Sequence, residues 1–188
     1  SFPVVGPFVP WASFGALAFI VQAAFDRVLM GGFDRPTVFE VETVLALLYF
    51  KQEKCDLVVL ETGLGGLLDA TNVVEKTLVA VLTPISKDHM EYLGDSLQEI
   101  AANKSGIIKK ESIIVTANQE PDAMKEIRKK CFAYKNELIL ADFDQTDKIA
   151  FGLLSTCFDY NELKKIEISL LGSYQIQNAI LAIETVKA

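Results

Sequence analysis

Glu61, His89 and Lys104 are the side chains of this sequence with the clearest capacity for chemistry: one carboxylate, the chain's single imidazole and one amine. Glu61 follows the apolar run Asp56-Leu57-Val58-Val59-Leu60 and leads into Gly63, Gly65 and Gly66. His89 lies in the stretch Ser86 to Gly94, just after a second apolar run, and Lys104 lies a short way downstream. Oxygen and nitrogen donors gathered beyond the ends of strands suit a divalent metal that holds phosphate groups. Glycines beside them let backbone come close to a ligand. Each feature also has a plain reading when taken alone: a solvated glutamate, a surface histidine beside Asp88, a helix lysine, a glycine turn.

The elements that must position these groups are read from periodicity and caps. Thr37 and Glu40 form a T-x-x-E capping box after Pro36 and open an apolar helix running to about Phe50. Asp56 to Leu60, Leu78 to Leu82, Ser112 to Thr116 and Glu137 to Ala141 read as short strands. Ser96 and Glu99 start a second capped helix, Leu97 to about Ile108, and Pro121 suits the first turn of a third, ending near Tyr134. Continuous apolar strands separated by helices predict an α/β fold, a mostly parallel sheet with helices on both faces. Ligands of such sheets bind beyond the carboxyl ends of the strands, where the three groups fall. After Asp142, Ile149 to Tyr160 and Lys164 to Leu171 read as a small antiparallel extension, and a last amphipathic helix runs from Ser173 to the C-terminus.

Composition excludes several classes. Half of the 188 residues are apolar (51%) and 23% are charged, so a packed core can form. The net charge of -7 speaks against a nucleic-acid partner, which needs a basic face. Three cysteines without a C-x-x-C pair read as thiols in a reducing cytoplasm rather than as a zinc site. The first 25 residues carry no charge, but Pro3, Pro7 and Pro10 leave only Trp11 to Phe25 as a continuous apolar run. That is short of the ~20 residues of a bilayer span and lacks a secretory signal's basic start. Residues 1–34 are therefore read as an apolar, buried or irregular segment rather than a membrane anchor, and residues 35–188 as one incomplete domain.

Longer strings carry more than single residues. LETGLGGLLDATNVV (Leu60 to Val74) resembles the E-V-G-L-G-G-R-L-D-A-T-N segment of folylpolyglutamate and dihydrofolate synthases, in the Mur ligase superfamily. DHMEYLGDSLQEIAANKSGIIK (Asp88 to Lys109), PTVFEVETVLALLYF (Pro36 to Phe50) and GSYQIQNAILAIE (Gly172 to Glu184) resemble further segments of that family, in the family's order. The resemblance implies a Mur-ligase central domain that binds ATP and Mg2+. It implies that Glu61 helps bind the magnesium ions of MgATP, that His89 ligates a second magnesium, and that Lys104 is carbamylated and supports that same metal. Thr37, Val38, Phe39 and Glu40, with Leu68, Asp69 and Ala70, would line the pterin substrate's site, and Asn178 would contact ATP. The implied reaction joins L-glutamate to a folate or dihydropteroate carboxylate through an acyl phosphate, in an enzyme expected to be monomeric.

Departures from the pattern stand beside these matches. Leu67 replaces an arginine, Tyr174 replaces a histidine, and Ser86-Lys87 precedes D-H in place of a small or apolar pair. No G-x-x-x-x-G-K-[ST] phosphate loop occurs in the 188 residues, and no lysine occurs before Lys51. The chain is therefore expected to be a fragment, a truncated product or a diverged relative, and inactive in isolation. A non-catalytic remnant of the fold and a peptidoglycan-precursor ligase are the two other readings, the second disfavoured by L-D-A-T-N and T-x-F-E.

Overall fold

The computed structural model describes residues 11–188, with side chains from residue 15 onward. The chain divides into two compact units at Gly63/Leu64. Of the N-terminal segment 1–34, residues 1–10 lie outside the described residues.

The first unit is helical. Helix α1 spans Trp11–Met30, and its several alanines favour helix at little entropic cost. It ends where Gly32, at φ 76°, turns left-handed, with Gly32 N–H donating to Leu29 O (3.0 Å) and Phe33 N–H to Val28 O (3.3 Å). That pair of bonds is a Schellman motif, which satisfies the helix's last carbonyls. Helix α2 spans Val38–Gln52 and is opened by the anticipated capping box between Thr37 and Glu40. The two helices pack together, with Leu17, Val21 and Tyr49 buried. Residues 56–60 differ from expectation: they form no strand, and Val59 is 90% exposed. A β-prone run becomes a strand only with a partner to pair its backbone, and among the described residues the other elements of this unit are both helices.

The second unit holds the parallel sheet. Strands β1 (Val79–Leu82), β2 (Ile113–Ala117) and β3 (Leu138–Ala141) lie in the order β1-β2-β3, with Leu82 opposite Thr116 and Thr116 opposite Leu140. Between them run the short α3 (Met90–Leu93), α4 (Leu97–Lys104) and α5 (Pro121–Tyr134). Strand alternation sends residues to opposite faces. Ala80, Leu82 and Ile114 pack with Ile100 of α4 and Ile127 of α5 on one face. On the other, Val79, Val81 and Val115 pack with Phe158, Tyr160, Ile176 and Ile180. The last two belong to α6 (Ser173–Lys187). The sheet is thus covered by helices on both faces, as the continuous apolar strands predicted.

The C-terminal extension is antiparallel, with three strands in place of the two runs read from the sequence. β4 (Thr146–Phe151), β5 (Thr156–Tyr160) and β6 (Leu163–Ile168) pair in sequence order. The run read as Ile149 to Tyr160 is broken by a turn in which Gly152 N–H donates to Ser155 O at 2.9 Å. Helix α4 likewise stops at Lys104 and tightens into a 3-10 turn, Ser105–Ile107, short of the expected Ile108.

Candidate functional site

The part of the glycine loop that belongs to the second unit is docked backbone-to-backbone on the end of α4. Leu67 N–H donates to Asn103 O at 3.0 Å. A Cβ on Gly66 would meet Lys104 O at 2.7 Å, and one on Gly106 would collide with the Leu67 Cα. No side chain fits between these segments. Close approach, read from the sequence as room for a ligand, is here the approach of one chain segment to another.

Asp69 organises the same loop from within. Its carboxylate accepts from Leu64 N–H (2.8 Å), Thr71 N–H (2.9 Å) and the Thr71 hydroxyl (2.6 Å). It also caps the 3-10 turn Ala70–Val73. Asn72, which the sequence reading did not single out, fastens the loop outward: its amide donates to Leu67 O (3.1 Å) and to Gly106 O (3.2 Å). Lys109 Nζ then donates to Asn72 O at 3.1 Å. Leu68 projects away from this scaffold, 90% exposed.

His89 sits in a left-handed backbone conformation, φ 52° and ψ 37°, at the start of α3. Left-handed non-glycine residues are uncommon, with histidine among the enriched types. The turn is held by His89 N–H donating to Asp88 Oδ1 (2.8 Å) and by His89 O accepting from Tyr92 and Leu93 N–H (3.0 Å each). The imidazole Nε2 lies 3.6 Å from Asp88 Oδ2, and both side chains are more than half exposed. An open imidazole beside a carboxylate is available to an incoming cation.

Lys104 is the last residue of α4, half-buried, and forms no ion pair among the described residues. Its side chain sits at the carboxyl-terminal, negative end of the helix dipole. Glu99, one turn earlier, is held below the ordinary carboxylate range by the Ser96 hydroxyl that it caps. In the first unit, Thr37 holds the Glu40 carboxyl low in the same way, through its N–H (2.7 Å) and hydroxyl (2.8 Å). Val38 and Phe39 beside them are 73% and 42% exposed. Glu61 is exposed in the first unit, whereas His89 and Lys104 belong to the second.

At the carboxyl edge of the parallel sheet lies a small open cleft lined by Pro84, Ala117, Asn118, Ala141, Phe143, Gln177 and Ile180. It opens where the strand ends of a parallel sheet receive ligands. Asn178 is exposed on α6, its amide donating to Gln175 Oε1 at 3.2 Å. Among the described residues no three His, Cys, Asp or Glu side chains converge as a metal-binding group, and no helix is long and apolar enough to cross a membrane.

Residues 17–186 match the Mur ligase middle domain. The chain belongs to that family. This Mur ligase middle domain is 39% identical over 166 residues to the dihydrofolate synthase/folylpolyglutamate synthase of Bacillus subtilis, covering 80% of the chain and 36% of the relative. It is 35% identical over 178 residues to the folylpolyglutamate synthase of Lacticaseibacillus casei, covering 92% of the chain and 41% of that protein. Among solved structures, an FPGS–AMPPCP–folate complex aligns with a TM-score of 0.85 at 33% identity, over 95% of this chain and 45% of the other. The Mur ligase middle domain described here therefore spans less than half the length of the curated relatives it matches. Its docked glycine loop and left-handed histidine lie inside the matched residues.

Proposed function

We propose that this Mur ligase middle domain serves an ATP-dependent ligase that joins L-glutamate to a folate or dihydropteroate carboxylate. The observation that carries the reading is the likeness, 33% identical across 95% of the chain, to a synthase whose structure holds AMPPCP and folate. The bifunctional relative supports dihydropteroate beside folate. In the reaction, the substrate carboxylate takes the γ-phosphoryl group of ATP, releasing ADP and forming an acyl phosphate. The glutamate amine attacks the acyl carbon, loses a proton and expels phosphate, leaving an amide.

The residue roles follow the resemblance one at a time. Glu61 and His89 are each magnesium ligands, Lys104 is the carbamylated lysine, and Asn178 contacts the nucleotide. Thr37 to Glu40 and Leu68 to Ala70 border the pterin. The donor chemistry fits magnesium, which keeps waters and phosphate oxygens as most of its ligands and takes few from protein. The ion would neutralise charge on the transferring phosphoryl group. Lys104 bears the heaviest burden, because its carbamate would place an anion at the negative end of α4. A carbamate there requires a cation to offset it, which ties the modification to the bound metal. Without a phosphate loop in their sequence, these 188 residues alone do not turn over.

The test uses the full-length protein that carries this domain. It should release phosphate in a manner dependent on ATP, glutamate and folate or dihydropteroate, with the product heavier by one glutamyl residue. Lys104→Ala should lower that rate by at least about 10-fold, the scale of losing support for a metal site. A short-chain carboxylate should restore part of it. Absence of turnover with both pterins sinks the ligase reading, and an unimpaired Lys104→Ala enzyme sinks the carbamate.

A further inference from the structure

Gln119 lies two residues past the end of β2, half-buried, and uses its side-chain amide in both directions. Its Oε1 accepts from Ile85 N–H at 2.8 Å. Its Nε2 donates to Thr83 O at 2.9 Å and to the Thr116 hydroxyl at 3.1 Å. The Thr116 hydroxyl, fully buried, reaches Leu82 O at 3.2 Å. One amide therefore fastens the segment leaving β1 to the end of β2, across 34 to 36 residues of sequence.

The fastened segment runs directly into the stretch that carries His89. Ile85 (5% exposed) and Leu93 (7%) are the two buried anchors of that stretch, and residues 86–92 between them are exposed. The first anchor's backbone hydrogen bond goes to Gln119 and not to a strand. Pro84, between the two bonds to Gln119, is a wall of the cleft at the sheet edge.

We infer that Gln119 is a positioning residue, whose amide sets where the His89 stretch leaves the sheet and where the cleft wall stands. The consequence for ligation rests on the proposed function above; the positioning itself does not. Loss of the amide frees Ile85 N–H and Thr83 O together, so the exposed stretch gains freedom at its entry while the core of β2 stays packed.

The single histidine makes this measurable, since every imidazole proton resonance of the chain reports on His89. The 188-residue chain is compared with Gln119→Leu, which removes donor and acceptor, and with Gln119→Glu, which keeps the acceptor for Ile85. In Gln119→Leu, amide exchange at Ile85 should quicken by at least about 10-fold, the signature of a locally opened bond. Exchange at Ile114 and Val115 should be unchanged, and the His89 imidazole resonance should shift or sharpen. Gln119→Glu should retain part of the Ile85 protection. If Gln119→Leu does not fold, Gln119→Glu decides: slowed exchange equal to wild type, with an unmoved His89 resonance, overturns the inference. The same unaltered pair of signals in a folded Gln119→Leu overturns it as well. The full-length protein separates the two ideas: absence of ATP- and glutamate-dependent phosphate release counts against the metal role, while the substitution effects on Ile85 and His89 still stand or fall on their own.

Discussion

Gly66 lies against the carbonyl oxygen of Lys104 so closely that a methyl group added to the glycine would meet it at 2.7 Å. The opposing atom is backbone at a helix end and cannot swing away. Gly66→Ala should therefore lower stability by about 1–3 kcal/mol, the usual cost of overpacking, and displace the end of α4. Urea midpoints measure the first and the Leu67 amide's exchange rate the second. Gly15→Ala is the contrast: it sits in α1 with nothing within 4 Å of the added carbon. There the substitution should stabilise the helix by about 0.5–1 kcal/mol, through the entropy glycine loses on folding.

Asn136 clamps the start of β2 to the end of α5. Its amide nitrogen donates to Lys109 O (2.8 Å), Ser112 O (2.6 Å) and Ser112 Oγ (3.1 Å). Asn136→Ala takes a donor from both carbonyls, of which Lys109 O keeps the Ser112 hydroxyl (2.7 Å), and a loss of about 1–3 kcal/mol is expected. Asn136→Asp should be worse at neutral pH, because an anion then faces two carbonyl oxygens. Its deficit should shrink on acidification, when a protonated carboxyl can donate once. Equal stability of the two variants at pH 7 would contradict this account.

These contrasts show what the sequence made legible. Both capping boxes, Thr37 with Glu40 and Ser96 with Glu99, form as read, because a cap is decided within four residues. The strands Val79–Leu82 and Leu138–Ala141 were legible from their continuous apolar runs. Asp56 to Leu60 has the same composition and is no strand, since pairing depends on a neighbour that composition does not specify. The docking of Leu67 on Asn103 and the bond from Asn72 to Gly106 join segments more than thirty residues apart. No periodicity announces such bonds; only the glycines at 65, 66 and 106 hint that backbones meet. Gln119 left no signal at all, a lone polar residue after a strand.

Acid should weaken the antiparallel extension first through Asp159. Its side chain is 6% exposed and accepts from Lys165 N–H (2.8 Å) and Lys148 Nζ (3.0 Å), with Lys164 at 3.9 Å. The Lys165 amide, then Lys148, hold its carboxyl below the ordinary aspartate value. A carboxyl depressed in the folded state adds stability above the unfolded pKa of about 3.9 and loses it as pH falls through the folded one. Wild type should lose this contribution progressively below about pH 4. Asp159→Asn should be less stable at pH 7 and flatter across that acid range. Parallel acid profiles for the two proteins, read by urea denaturation, would remove Asp159 from the explanation. Lys148, raised by the same bond, works in the opposite window: its share is complete below the unfolded lysine value and is lost at higher pH as the folded group deprotonates.

Ser105 immediately follows Lys104, and its hydroxyl is buried without a hydrogen-bond partner among the described residues. A buried hydroxyl that makes no bond has given up its hydration for nothing, at a cost on the order of 1–3 kcal/mol. Ser105→Ala removes that cost, keeps the volume nearly constant and substitutes a better helix former at the end of α4. A gain of about 1 kcal/mol is expected, with Leu67 and Ile108 amide exchange unchanged because neither of their backbone bonds uses the hydroxyl. Ser105→Val should reverse the gain, since two extra carbons must enter a site that is 2% exposed. Thermal and urea unfolding of the three proteins decide the matter. A loss of about 1 kcal/mol or more in Ser105→Ala would mean that the hydroxyl is bonded in solution, which would make the end of α4 a polar site and not a packed one.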